Sequence, residues 1–498
     1  MQKRQILINA IMSIIQIVVI GIVLFILYRF LLDTIGIEQL GIWSLVLAIT
    51  SVTQFANFGL SGSVVKFVAK HIAHGENKNI SVIIQTATLS VGAFLGLILI
   101  ICYPIAKLVV GLVILDKSLP LALSILPYAF LSLWIMATIS IFQSGLDGYQ
   151  RIDLRNFLLM GGAILNLLLC IMLVPVYGLI GVAYARIIQN ITILLGSWYL
   201  LKRQLQLLPI FPYKWDKGLF KEIIGYGINF QVIFIARILC DPITKVLLSK
   251  FGELSMVGYY EMASRVIIQF RALIVSASQV LVPVIADINE RTPKKIQSIY
   301  ITSYQLLFYL ALPLYSLIII SMPIISDLWM GHYERIFVLF ATFLAIGWFL
   351  NMLNAPSYFA NLGTGELRWN ITSHIVMALL NVSLGFLLGF FYGGVGVVIA
   401  WVISLALGGG IIYLSYHIRH KIPLIELAPK DSRIIIIICL IGIFSSFIIH
   451  HNFFGYFNTI ALNGIIILLF LMIVSPILWS HPMRKRLIGW INHELLNR

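Results

Sequence analysis

Apolar runs of about 20 residues recur from one end of this chain to the other, separated by short polar stretches. A helix of that length, rising about 1.5 Å per residue, crosses a hydrocarbon core of about 30 Å. The pattern predicts about fourteen spans, running approximately from 8 to 28, 40 to 63, 80 to 103, 121 to 143, 157 to 176, 179 to 201, 222 to 243, 256 to 285, 298 to 323, 336 to 358, 370 to 391, 394 to 416, 433 to 450 and 458 to 479. The longest interval, between the sixth and seventh runs, has about 20 residues and leaves no room for a catalytic domain. The first run follows Lys3 and Arg4 as a signal peptide would, but it is long and lacks a small-residue cleavage site, so it reads as a retained helix.

Composition agrees. The 498 residues are 60% apolar and 11% charged, with a mean hydropathy of +1.00, whereas soluble domains are about half apolar and about a quarter charged. The expected class is an all-α integral membrane protein. Charge then orients it: 24 of the 34 basic residues fall in alternate loops on one side, including Lys3, Arg4, Lys66, Lys70, Arg151, Arg155, the cluster from Lys202 to Lys221, and the C-terminal Arg484 to Arg498. The opposite loops hold Arg29, Lys107, Lys117, Lys250 and Arg335. The positive-inside rule therefore puts both termini in the cytoplasm of a cell-membrane protein. The net charge of +15 is explained by this bias toward anionic lipid and calls for no nucleic acid.

The chain also repeats itself at an offset of about 216 residues. Tyr177-Gly178-Leu179-Ile180-Gly181-Val182 answers Tyr392-Gly393-Gly394-Val395-Gly396-Val397, and Gly148 with Arg151 answers Gly365 with Arg368. Spans one to six thus map onto seven to twelve, leaving thirteen and fourteen outside the duplication. Six crossings return the chain to its starting side, so the two six-helix bundles are expected to be related by a pseudo-twofold axis along the membrane normal, with the substrate between them. The expected domains are 1–205, a cytoplasmic linker 206–221, 222–420, and 421–498 with two further helices and a basic tail. The glycines of the repeated Tyr-Gly turns are read as structural, at positive φ, and Pro242 as a break or kink in the seventh span.

Five basic residues remain inside apolar runs: Arg186, Arg237, Lys245, Arg265 and Arg271. Each costs about 2.5 to 3.5 kcal/mol at mid-helix on insertion scales, so each needs a partner or a wet cavity. Arg265 lies roughly 14 Å below the external end of span eight, near the midplane. Arg186 and Lys245 are close enough to the outer face either to snorkel to headgroups or to serve the cavity. Arg237 stands four residues from Asp241, which allows pairing or substrate contact. In span eight, Glu261, Arg265, Gln269, Ala272, Ser276 and Gln279 share one face of roughly 80° at about 100° per residue. Glu261 and Arg265 are also placed to neutralise one another. Arg271 lies off that stripe and reads as running to inner headgroups or another helix. Span two, the repeat mate, has Ser44, Thr50, Gln54 and Asn57 but no arginine. A cavity richer in arginine than in carboxylate suits an anionic substrate, above all phosphate. Glu261 and Asp241 are the candidates for coupling to H⁺ or Na⁺.

The stretch Gly145-Leu146-Asp147-Gly148-Tyr149-Gln150-Arg151-Ile152-Asp153-Leu154, with Asn166 and Val174-Pro175-Val176-Tyr177-Gly178, resembles the polysaccharide-export branch of the multidrug/oligosaccharidyl-lipid/polysaccharide superfamily, the Wzx-type O-antigen and capsule flippases. Gly258-Tyr259-Tyr260 and Val282-Pro283 fit the same pattern. The resemblance implies two six-helix lobes plus two helices, and movement of an undecaprenyl-diphosphate-linked oligosaccharide from inner to outer leaflet by alternating access, with no bond broken. It also implies glycosyltransferases and a polysaccharide polymerase as partners.

Other classes are less well matched. A drug exporter of the same superfamily usually needs buried carboxylates, and span one offers Asn9 and Gln16 but no acid. A peptidoglycan-precursor flippase is the nearest relative to separate. A membrane-embedded glycan polymerase or ligase usually carries a large external loop, and here the external loops are short. Neither a P-loop, a dinucleotide fingerprint nor a nucleophile elbow occurs, so no cofactor is expected. Cys102, Cys170, Cys240 and Cys439 are far apart without metal-ligand spacing and read as packing residues.

Overall fold

The computed structural model describes residues 3–51, 60–114, 117–227, 231–278, 281–292, 295–423, 432–453 and 459–484. The elements formed there are all helices: α1 (Lys3–Ser51), α2 (Leu60–Ala73), α3 (Asn77–Val113), α4 (Leu119–Gly148), α5 (Ile152–Tyr177), α6 (Leu179–Gln204), α7 (Lys217–Gly227), α8 (Gln231–Phe251), α9 (Leu254–Ser278), α10 (Leu281–Arg291), α11 (Ile296–Met330), α12 (Arg335–Met352), α13 (Ala355–Thr364), α14 (Arg368–Arg419), α15 (Arg433–Phe453) and α16 (Thr459–Ser480). Among the described residues, nine helices or joined helix pairs are long and apolar enough to cross a membrane. This is an all-α, multi-spanning membrane protein.

Several expected boundaries move. The loop expected between the first two spans is helical, and α1 runs through it with one break, at Gly36 (φ 79°). Of the second expected span, 40 to 63, the end of α1 and the start of α2 are described, and residues 52–59, with Gln54 and Asn57, lie outside the described residues. Of the eighth, 256 to 285, α9 covers the part up to Ser278 and α10 the part from Leu281, and residues 279–280 lie outside the described residues. α8 continues through Pro242, so of the expected break or kink the break does not occur. α14 holds the eleventh and twelfth expected spans, divided at Gly393 (φ 62°). The C-terminal tail from residue 485, with Lys485, Arg486 and Arg498, lies outside the described residues.

The residues sort into two compact units, Met1–Gly258 and Tyr259–Arg498, so the linker 206–221 falls within the first unit and the division falls within α9. The reason is local packing: α7 seats on α2 and α3, and α8 on α1. In the first unit α4 is the core helix, packed by α1, α2, α3 and α6. Its Ile125, Leu126, Ile141 and Leu146 are fully buried, while α5 turns Phe157, Leu168 and Met172 outward. In the second unit α11 has that role, packed by α12, α13, α15 and α16. Ile320, Cys439 and Phe470 knit α11, α15 and α16 together. Outward leucines and phenylalanines need no further account where the surroundings are lipid.

The duplication is visible in the backbone. α5 meets α6 at Gly178 (φ 55°), and α14 bends at Gly393 (φ 62°). A side chain at either φ is strained, which is why the turn is written with glycine twice. Just after each turn, Gly181 lies against the Leu173 carbonyl and Gly396 against that of Leu388, again in matching positions. The α4–α5 turn has Gln150 at φ 60°, and the α13–α14 turn has Gly365 at φ 80°.

Candidate functional site

The polar face of α9 begins one turn inside the second unit. Glu261 is buried, and its Oε1 accepts a 2.6 Å hydrogen bond from Arg265 Nε. Spacing of four on a helix brings these side chains together without cost to the backbone. The arrangement is asymmetric: the Glu261 side chain is 5% exposed and that of Arg265 44%. The acid is sunk into the packing and fixes one edge of the guanidinium, while the rest of the planar group reaches the surface of the unit. A guanidinium carries five N–H donors in a fixed fork, a geometry suited to anionic oxygens. Gln269, one turn on, is half-buried. Ser276 has no described side chain, and Gln279 lies outside the described residues.

Arg271 leaves that face. Its guanidinium lies 4.5 Å from the centre of the Trp348 ring on α12, so of the two destinations expected for it the neighbouring helix is the one taken. Cation–π packing of this kind stabilises a desolvated guanidinium.

In the first unit, α8 carries an ion pair of opposite polarity. Lys245 Nζ lies 2.8 Å from Asp241 Oδ2, with the Lys245 side chain 6% exposed and that of Asp241 51%. Lys245 is therefore buried, with its ammonium held by a carboxylate one turn away on its own helix. Arg237 belongs to α8, but its side chain lies outside the described residues. Arg186 on α6 donates from Nη1 to Gln189 Oε1 at 2.9 Å, and its Nη2 lies 3.9 Å from Met136 Sδ on α4. It too is held by side chains of its own unit.

Of the expected residues, the structure thus unites Glu261 with Arg265 and Asp241 with Lys245, and gives Arg271 and Arg186 separate partners. The sequence reading missed three polar assemblies. On α3, Ser81, Gln85, Thr86 and Ser90 form a polar row that bonds residues 207–216. They fall as two pairs four residues apart, Ser81 with Gln85 and Thr86 with Ser90, spread over half the circumference of α3. In the second unit, His417 Nε2 lies 2.9 Å from Tyr300 Oη, which is 3.1 Å from Ser357 Oγ, all buried. Beside them Arg419 pairs with Glu366 and donates to Asn361 Oδ1 at 2.9 Å. The next residue, His420, stacks on Tyr416 at 4.3 Å. Burial pushes its imidazole below the ordinary histidine value, and the Arg419 charge adds to that, opposed by Glu366. In the first unit, Asn190 Nδ2 donates to Ser132 Oγ at 2.8 Å, joining α6 to α4.

Among the described residues of the first unit, open apolar hollows include one of about 560 Å³ between α3 and α4 beside Trp134 and Tyr103, and one of about 370 Å³ between α5 and α6 beside Tyr177 and Tyr184. None of the expected charged residues lines either one.

The sequence matches the profile of a family described as polysaccharide biosynthesis protein over residues 4–289, more than half of the chain. No curated protein matches it. Among solved structures, an inward-facing multidrug resistance MATE family transporter of the MOP superfamily is 16% identical at a TM-score of 0.72, covering 80% of this chain and 94% of that one. The lipid II flippase MurJ, in an inward closed conformation, is 16% identical at a TM-score of 0.69, covering 95% of this chain and 99% of that one. A MATE protein in a bent conformation is 15% identical at 0.57, covering 83% and 95%. At these identities the likeness is one of fold alone: the all-α, multi-spanning fold of this chain resembles the folds of those proteins.

Proposed function

Given that the chain belongs to the polysaccharide biosynthesis protein family, we propose that it carries a polyprenyl-diphosphate-linked oligosaccharide from the inner to the outer leaflet of the cytoplasmic membrane, for a surface polysaccharide such as O-antigen, capsule or exopolysaccharide. The family match over residues 4–289 carries this reading. In it, about fourteen spans form two six-helix lobes with two further helices, both termini are cytoplasmic, and the lobes rock about a central site. Arg265 holds the diphosphate through its exposed guanidinium, with Glu261 setting its orientation. Arg237, Arg271, Arg186, Gln269 and Gln279 contribute charge or hydrogen bonds to diphosphate and sugars. The polyprenyl tail stays in lipid, and an H⁺ or Na⁺ gradient acting through Glu261 or Asp241 supplies the bias. Glycosyltransferases supply the substrate, and a polymerase takes it up.

A second reading rests on the solved structures, which are of the two alternative cargo classes. The likeness to MurJ extends over 95% of this chain, so a peptidoglycan lipid precursor is the principal alternative. The multidrug transporter has the higher TM-score of the two, over 80% of this chain. Depletion in the native host separates the three. Loss of a surface glycan with build-up of its lipid-linked precursor and no lysis supports the proposal; lysis with lipid II build-up replaces it with the second reading. Normal glycans with heightened drug sensitivity mark an exporter.

A further inference from the structure

We infer that residues 205–216, the segment between the two repeats, form a strap seated in the anionic headgroup layer of the cytoplasmic leaflet. Three independent features carry this.

The first is how the strap is held. Leu205 and Leu208 point inward and are buried. Ser81 Oγ donates to the Leu207 carbonyl at 3.0 Å, and Trp198 Nε1 donates to that of Pro209 at 3.0 Å. The amides of Tyr213 and Lys214 both donate to Gln85 Oε1 at 3.1 Å, and that of Asp216 donates to Thr86 Oγ1 at 3.1 Å. Non-helical backbone is costly beside lipid because its polar groups lack partners there. Here α3 and α6 supply partners at five positions, so the strap can lie against lipid.

The second is what it turns outward. Phe211 is 80% exposed and Tyr213 70%, with Leu207, Ile210 and Trp215 more than half exposed. The Trp215 indole N–H is anchored to Ser90 Oγ at 3.0 Å, which fixes its ring on this surface. Tryptophan and tyrosine with an apolar body and a polar edge are the residues that collect at membrane interfaces.

The third is charge. From Lys202 to Glu222 there are five basic residues and two acids, Asp216 and Glu222. Asp216 Oδ1 is already engaged by the Leu219 amide at 2.8 Å, at the start of α7. Lys202 lies 4.9 Å from the centre of the Trp198 ring, Arg203 5.7 Å from that of Tyr199, and Lys214 5.6 Å from that of Tyr213. Cations interleaved with aromatics at the end of a span match an anionic phospholipid surface better than an apolar protein face. The consequence is that the segment linking the repeats is tied to the membrane and to α3 together, whatever the cargo.

The test places a bimane label on Phe211→Cys in the full chain with its four cysteines replaced by alanine, in nanodiscs. In phosphatidylglycerol, headgroup-region spin-labelled lipid should quench this label at least about twofold more than in phosphatidylcholine, and iodide should quench it weakly. A label on His74→Cys, in the α2–α3 turn, should show strong iodide quenching. Replacing Lys202, Lys214 and Lys217 with glutamine should abolish the difference between the two lipids. Hydrogen exchange of the unmodified chain gives a readout that does not depend on cysteine removal: amides of 205–216 should exchange more slowly in phosphatidylglycerol. Iodide quenching equal to that at His74, protection from both quenchers as a protein cover would give, or equal exchange in the two lipids would each overturn the strap.

Discussion

Arg265 and Glu261 show how one pair can be structural and functional at once. Removing Arg265 takes an ion-pair partner from a buried carboxylate, an effect of about 3 to 5 kcal/mol in buried pairs, so a simple alanine variant confounds folding with transport. The double variant Glu261→Gln/Arg265→Ala removes the buried charge as well. It should restore membrane levels while delivery of the lipid-linked glycan stays at least about tenfold down, the loss expected for a charge-assisted hydrogen bond of about 1.5 to 3 kcal/mol. Arg265→Lys should fall between, since an ammonium keeps the charge and loses the fork. Normal delivery by the double variant, measured at matched protein levels, would remove Arg265 from the site. His420 gives a prediction about pH. Its imidazole is held below the ordinary value of about 6.5, so the folded state prefers it neutral. That contribution is present above about pH 6.5 and is lost as pH falls below it, because the unfolded chain then binds the proton first. His420→Phe keeps the stack on Tyr416 and should flatten the fall in thermal stability between about pH 6.5 and 5. The Glu261–Arg265 pair was legible in the sequence because helical spacing alone brings its members together. The Trp348 seat of Arg271 was not, because it depends on how α9 meets a helix far along the chain.

At the scale of elements, the two copies pack their paired helices with complementary substitutions. Gly162 on α5 lies against Ile193 on α6. At the matching places in α14, Met377 lies against Gly408. The small and large partners have changed sides while the gap between helices stays filled. Gly162→Met should therefore overpack the α5–α6 seam and destabilise the protein by about 1 to 3 kcal/mol. Adding Ile193→Gly, which recreates the second copy's arrangement, should recover a large part of that in a thermal unfolding measurement; no recovery would contradict the equivalence of the seams. Turns written with repeated glycine were readable from sequence because positive φ restricts residue choice. Element ends without such a constraint were not: Gly36 bends α1 where a whole loop was expected, and Pro242 is absorbed within α8. The polar row of α3 looked like scattered serines and threonines until its partners, the amides of 213, 214 and 216, were in place.

For the whole molecule, hydrophobic patterning led to an all-α, multi-spanning protein, and its fold resembles those of an inward-facing MATE family transporter and of MurJ. Sequence repetition marks the ends of the duplicated unit, but compactness follows packing, and the packing of α7 and α8 places residues up to Gly258 in the first unit. Cargo is decided at a finer level than fold. The most direct measurement reconstitutes the full chain in vesicles loaded on one leaflet with polyprenyl-diphosphate-linked oligosaccharide, with lipid II, or with a cationic drug, and follows appearance on the other side. The account predicts movement of the surface-polysaccharide precursor, reduced at least about tenfold by Glu261→Gln/Arg265→Ala. Movement of lipid II or of the drug with none of the polysaccharide precursor would contradict it.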